Sequence, residues 1–404
     1  MRSRPTQPYL VVLALLALSP LVAPTAWAAP VYKVLHSFGK GTDGITVYSG
    51  VTFDAFGNLY GTTSGGGNQC CPTYGTVFQL SPQADGSWAE HILHRFSKDD
   101  PGGFGPSSTP AIDATGTLYA TTPTGGGADT YGTVLTLARS HNGWDLTVIH
   151  RFGKNDPADG PWAGVVMGSS GSLYGVGGCA FELDPGSKDW KETILHCFPA
   201  FPGDGFGVLD HPVLDAAGNL YGTTEGGGGS KNCGGGCGTV YELSPMPDGK
   251  WKETFLHRFQ GHRDGDFPSL GELALDSAGS LYGATSSGTI FKLTPEPGGL
   301  WQFTVLYTIT EGEPGGGLVL DNAGNLYGTT TDGGNGCGNV YKLAPGPDGE
   351  WTYTVLHNFD GTDGCLPDAN MIFDSNGNLY GTTVLGGEYG GGVVFELSTT
   401  PSPQ

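Results

Sequence analysis

An all-β, seven-bladed β-propeller is the fold the amino-acid sequence predicts, and three observations predict it. First, one phrase recurs seven times, cleanest as Leu214-Asp215-Ala216-Ala217-Gly218-Asn219-Leu220-Tyr221-Gly222-Thr223-Thr224, with copies centred on Tyr60, Tyr119, Tyr174, Tyr221, Tyr282, Tyr327 and Tyr380. Second, the unit around each copy holds four short strand-like runs in roughly fifty residues, the size of a propeller blade and larger than a solenoid rung. Third, the strand phrases are out of step with the ends. The chain opens on a fourth-strand phrase, Tyr32 to Phe38, and finishes on a third-strand phrase through Glu396-Leu397. The N-terminal strand can therefore complete the last blade, leaving no open edge in the ring.

Within a unit, strand a precedes the turn Asp, and Asp-x-x-Gly-Asn supplies the turn. The Asp side chain caps the backbone, while Gly and Asn tolerate positive φ. Strand b runs through Leu-Tyr-Gly-Thr-Thr. A Gly-rich stretch leads to strand c, as in Gly238-Thr239-Val240-Tyr241-Glu242-Leu243. A Pro-x-x-Asp-Gly hairpin, as in Pro245 to Gly249, leads to strand d, which a Trp opens in six units: Trp88, Trp144, Trp190, Trp251, Trp301 and Trp351. In the fourth unit, strict alternation places Trp251, Glu253, Phe255, His257 and Phe259 on one face of strand d. No helical period of useful length occurs beyond the first 28 residues.

Those first residues carry Arg2 and Arg4, an apolar run from Tyr9 to Leu18, and Ala26-Trp27-Ala28, the layout of a cleavable secretory signal. The expected organisation is a signal over 1-28, one propeller domain over 29-398 and a short tail over 399-404. No second apolar stretch and no C-terminal anchor is recognised, so a soluble, secreted or periplasmic monomer is expected. The 72 Gly and 28 Pro suit a turn-rich β protein. A net charge of −21 repels phosphate backbones and anionic lipid, which argues against nucleic acid and membrane surfaces as partners. The eight Cys of an exported chain favour disulfides. Position points to Cys179 with Cys197, Cys233 with Cys237 and Cys337 with Cys365; Cys70 and Cys71 are adjacent and could bridge each other or pair elsewhere.

The repeated Asp-x-x-Gly-Asn-Leu-Tyr-Gly-Thr-Thr, followed by Gly-Gly and Gly-Thr-Val-Phe-x-Leu, resembles the GloVer tandem repeat of secreted bacterial proteins, often described as choice-of-anchor proteins. All seven copies contribute. The resemblance implies export and a propeller-like repeat, and it implies no activity. A remoter likeness of the Asp-x-x-Gly-Asn-Leu-Tyr turn to lactonase-type and streptogramin-lyase-type propellers is one of fold alone.

Repeated polar residues read as structure. His36, His94, His150, His196, His257 and His357 share one repeat position, with Tyr307 in the seventh, and a catalytic group is not needed six times. They are expected to make buried hydrogen bonds that lock blades. The turn Asp residues Asp54, Asp113, Asp215, Asp276, Asp321 and Asp374 read as turn formers, as do the Asp-Gly pairs at Asp43, Asp159, Asp204, Asp264 and Asp363, where calcium is the rival reading.

Chemistry is sought where the repeat breaks at a position facing a common centre. Strand a lines the channel, and four alternating strands put the b-c and d-a loops at one end of the ring. The residue four before each turn Asp lies near the channel mouth there, and it reads Gly50, Thr109, Gly164, His211, Glu272, Gly317 and Asn370. His211 and Glu272 would serve as acid and base in an enzyme, or hold a divalent cation; no cofactor is assigned. Asn370, Thr109, Asp210, Asp368, Trp162, Tyr74, Tyr389, His262, Arg263 and Asp264 are candidate ligand-binding residues of the same end. The expected role is binding of an extracellular glycan, cell-surface polymer or small molecule, with Trp162, Tyr74 and Tyr389 as stacking surfaces. The alternatives are a lactonase, lyase or hydrolase, and a structural envelope protein.

Overall fold

The computed structural model describes residues 30–67, 74–158, 160–187, 189–199, 203–268 and 271–398. The expected signal segment, the tail, Cys70, Cys71 and Asp159 lie outside the described residues. Seven four-stranded antiparallel sheets follow one another around a ring. The fourth blade is typical: a is Val213–Leu214, b is Leu220–Thr224, c is Thr239–Pro245 and d is Trp251–Arg258. In the last blade the outermost strand is Val31–Ser37, paired antiparallel with Val393–Ser398, Tyr32 opposite Leu397 and His36 opposite Val394. The ring is closed by the two ends of the chain.

Local chemistry builds each blade. Asp215 accepts hydrogen bonds from the Ala217 and Asn219 backbone N–H groups, from Asn219 Nδ2 and from the Tyr221 hydroxyl, which ties strands a and b into one hairpin. Asp54, Asp321 and Asp374 repeat the set. In the third blade, where Gly168 replaces the Asp, the Tyr174 hydroxyl turns instead to Glu182 Oε1 at 2.7 Å. The Thr pair ending strand b has two tasks. Its second member bonds strand c, as between the Thr224 and Thr239 hydroxyls at 2.9 Å. Its first member reaches the start of the next blade: Thr62 donates to the Ser108 carbonyl, Thr329 to Pro367 and, across the ring closure, Thr382 to Ser49.

Seven apolar clusters, one per blade interface, form the core. Fully buried rings such as Phe78, Phe181, Phe291 and Phe395 anchor them, each stabilising by roughly 1.5–3 kcal/mol through area removed from water. The strict alternation expected of strand d is broken in every blade. In the fourth, Val240 pairs with His257 and Tyr241 with Phe255, so Leu256 is a bulge residue. The bulge lets two residues of d oppose one of c and turns Leu256 into the core, where it is buried. Leu35, Leu93, Ile149, Leu195, Leu306 and Leu356 are its counterparts.

The three expected disulfides are formed: Cys179–Cys197, Cys233–Cys237 and Cys337–Cys365. Such bonds persist in oxidising compartments. Among the described residues no helix is long and apolar enough to cross a membrane.

Candidate functional site

The d-a and b-c loops meet at one end of the ring, as alternating strands require. Gly44–Ile45 pairs with Gly65–Gly66, and Gly205–Phe206 with Gly226–Gly227. On the axis at this end lies a cup of about 370 Å³. Beneath it, a second cavity of about 330 Å³ follows the channel between apolar residues of the inner strands, among them Val51, Ile112, Met167, Leu273 and Ile372. Thr109, His211, Glu272 and Asn370 line both cavities. They form a polar floor between the cup and an apolar channel.

The glycines at the same repeat position let those side chains cross. A Cβ on Gly164 would strike His211 Nε2, so the imidazole of the fourth blade lies over the third, beside the Thr109 backbone of the second. Gly317 does the same on the other side. Asn370 Nδ2 donates to Glu272 Oε2 at 2.8 Å across the sixth blade, and the Gly317 backbone N–H donates to Asn370 Oδ1 at 2.5 Å. His211 and Glu272 thus turn to different partners, each one blade beyond its neighbour.

Burial sets the protonation of this floor. It pushes His211 down to about 4, opposed by the contact with Thr109, so the ring is neutral at pH 7. Its Nε2 is buried without a hydrogen-bond partner. Burial pushes Glu272 up to about 7; the Asn370 hydrogen bond opposes the shift and the Asp210 charge adds to it. Asp210 rises to about 6 through burial, against hydrogen bonds from Gly271 and Thr223 and with the charge of Asp368 adding. One neutral base and two carboxyl groups titrating near neutrality therefore share one enclosure.

Stepping back two residues from the floor position, one strand period, gives the cup's wall: Tyr48, Ser107, Trp162, Leu209 and Asp368 all line it. Trp162 is 58% exposed, Leu209 48% and Tyr48 46%, so the rim is apolar and aromatic. Tyr48, Ser107 and Leu209 were not among the sequence candidates; the period-two step from the floor position is the signal that finds them. The intervening position reaches the strand b Thr: Thr223 Oγ1 donates to Asp210 Oδ2 at 3.3 Å, and Ser49 Oγ donates to the Thr62 carbonyl at 2.9 Å.

Five candidates stand apart from the cup. Tyr74 packs edge-on to Phe104 at 5.4 Å. Tyr389 lies under Lys40 Nζ at 5.3 Å, in the outer groove beside His36. Asp264 accepts from His257 Nε2 at 3.1 Å and from the Gln260 backbone, closing its own loop. His262 holds a left-handed turn at φ 67°, and Arg263 is exposed beside it. His262, Arg263 and Asp264 are expected at the cup by nearness in sequence, but their d-a loop does not line it; Tyr74 and Tyr389, expected as stacking surfaces, lie in b-c loops and do not line it either. Four of the six repeated His residues, His36, His94, His257 and His357, bond a loop Asp, as with His94 Nε2 2.8 Å from Asp100 and His357 Nε2 2.8 Å from Asp363; His150 and His196 Nε2 do not.

Comparison with known proteins agrees on the architecture. A bacterial surface component of the type-IX secretion system, PorZ of Porphyromonas gingivalis, is similar at 15% identity and a TM-score of 0.51, over 90% of this chain and 48% of that one. A protein of unknown function from Bacteroides thetaiotaomicron is similar at 13% identity and a TM-score of 0.50, over 92% of this chain and 76% of that one. A luciferin-regenerating enzyme matches at 14% identity over 91% and 95% of the two chains, with a TM-score of 0.47. At these identities the first two likenesses speak to fold alone. No curated protein is detectably similar in sequence. The repeat model is matched twice, over residues 25–179 and 176–395, so that both stretches together take in nearly all seven blades, and the chain belongs to the Gloeobacter/Verrucomicrobia repeat family.

Proposed function

We propose that the protein is an exported, monomeric binding module that takes an extracellular glycan, as a free sugar or the end of a cell-surface polymer, in the axial cup. The observation that carries this reading is the placement of exposed Trp162 and Tyr48 at the rim above a floor of hydrogen-bonding groups. Sugar rings present apolar faces that stack on aromatic side chains and hydroxyls that need donors and acceptors. Asn370, Thr109, Glu272 and His211 Nε2 supply the latter. Export is supported by the three disulfides and by the leader-like first 28 residues. The test is a glycan array followed by calorimetry on the hits. Trp162→Ala is expected to weaken binding roughly 30-fold, the loss typical of an aromatic anchor. A flat array, or a hit whose affinity ignores Trp162, rules the reading out.

An enzymatic second reading rests on one observation, the lining of one cup by neutral His211 and by Glu272, pushed up to about 7. Groups titrating near the working pH suit proton transfer. It requires turnover of a bound glycan or lactone that His211→Ala abolishes while binding persists; turnover unchanged in that variant removes it.

A further inference from the structure

At six blade interfaces the strand d His, or Tyr307 in its place, meets the residue four before the same position in the next blade, and that residue is not uniform. His257 stacks on Phe303 at 3.8 Å and His357 on Tyr32 at 3.8 Å, while Tyr307, in the His position of the fifth blade, stacks on Tyr353 at 5.3 Å. Three interfaces bring a carboxylate instead: His36 with Glu90, His150 with Glu192 and His196 with Glu253, at 3.7, 3.7 and 3.6 Å. The loop Asp completes a His–Asp–Glu triad in each, its ligand atoms all within 4.8 Å of one another.

At two of these three interfaces the added Glu coincides with a change in the His–Asp pair. Where no Glu is present, His Nε2 lies 2.8, 3.1 and 2.8 Å from Asp100, Asp264 and Asp363. Beside Glu192 and Glu253 the pair opens to 3.6 Å for His150–Asp156 and 3.9 Å for His196–Asp204. His150 Nε2, His196 Nε2, Glu192 Oε1 and Glu253 Oε1 are then buried without any hydrogen-bond partner. Oδ1 of each Asp is used by its own loop, accepting from the Ala158 and Gly205 backbones, which leaves Oδ2 turned toward the His. Buried polar atoms left unpaired cost free energy unless something fills the gap between them.

We propose that the His150–Asp156–Glu192 and His196–Asp204–Glu253 triads each bind a divalent transition-metal ion of the zinc type. One imidazole and two carboxylates are hard-to-borderline donors suited to such an ion, with bonds of about 2.0–2.2 Å and hence donor–donor edges of about 3.4 Å in a tetrahedron. The observed His-to-carboxylate separations of 3.6 to 3.9 Å need to contract by only a few tenths of an ångström. Water can take the fourth position, since these side chains are partly open to solvent. Each ion bridges two blades, with His and Asp from one and Glu from the next, and so pins an interface on the rim, away from the axial cup. Arg258 lies near Glu253 and makes the second site the weaker. In the third triad His36 is closed on Asp43 at 3.1 Å.

The test is calorimetric titration of chelator-stripped protein with zinc chloride, alongside the absorption spectrum of the cobalt(II) form and thermal unfolding with and without zinc. Two equivalents are expected, with cobalt d–d bands of nitrogen and oxygen ligation and a zinc-dependent rise in Tm. Glu192→Gln/Glu253→Gln keeps the side-chain shape and removes the ligand charges, so it is expected to fold as wild type and to weaken zinc at least about 10-fold at both sites. His211→Ala/Glu272→Ala keeps both equivalents, because the cup is a separate place. Absence of zinc binding, or unaltered binding in the Gln double variant, overturns the proposal. A single equivalent removed by Glu192→Gln alone upholds the first site and overturns the second.

Discussion

Glu272 shows what enclosure does to one side chain. Its folded-state pKa of about 7 stands above the 4.5 of a free glutamate, chiefly through burial. Between those values the folded protein holds a proton that the unfolded chain has released, so this group's contribution to stability falls as pH rises from about 4.5 to 7. Glu272→Gln mimics the protonated carboxyl, and its amide oxygen can still accept from Asn370. The variant is expected to gain on the order of 2 kcal/mol over wild type at pH 8 and nothing at pH 4. Urea unfolding at the two pH values checks this; a gain equal at both excludes a titrating Glu272. The sequence exposed this residue because it breaks a monotonous repeat position. It did not expose the partner, since the Asn370–Glu272 bond spans 98 residues and depends on Gly317 leaving the path clear.

A blade is held by its turn as much as by its ladder. Burial alone would raise the Asp215 pKa, but hydrogen bonds from Asn219, Tyr221 and Ala217 outweigh it and hold the carboxyl below the usual range. The stabilisation is present above the unfolded pKa and lost as pH falls through the folded one. Asp215→Ala leaves two backbone N–H groups and a half-buried Tyr hydroxyl without their acceptor. It is expected to cost about 1–3 kcal/mol at pH 7, with the deficit shrinking below pH 4. A midpoint in urea indistinguishable from wild type would show that water replaces the carboxylate at no cost. The turn was readable from Asp-x-x-Gly-Asn alone, because every partner lies within six residues. The strand d bulge was not. An alternating sequence is compatible with a regular strand, and only pairing with strand c reveals that Leu256 is the residue left over.

The ring is a closed system whose last interface is made by its two ends. Val31–Ser37 covers the edge of Val393–Ser398 and packs Leu35 into the interface with the first blade, where Phe38 follows it. Deleting residues 30–37 exposes that edge and half-opens an apolar cluster. The expected outcome is association through the bare strand, read by sedimentation velocity as species larger than those of the full-length protein. A monodisperse deletion variant would mean that the other six interfaces suffice.

Local and periodic features were set by the sequence itself: seven turns, four strands per turn, and a strand order offset so that the N-terminal strand can complete the last blade. Short-range hydrogen bonding and side-chain period carry that information, and both are written in consecutive residues. The tertiary structure alone decided which side chains meet. His211 lies beside Thr109 because Gly164 has no side chain to stop it, and Glu192 stands against His150 because one blade leans on the next. It also separated Tyr74 and Tyr389 from the axis, although both lie in loops of the cup's end of the ring. Such contacts depend on the radius and tilt at which blades pack, and those follow from the summed shape of all seven interfaces, which no single repeat encodes.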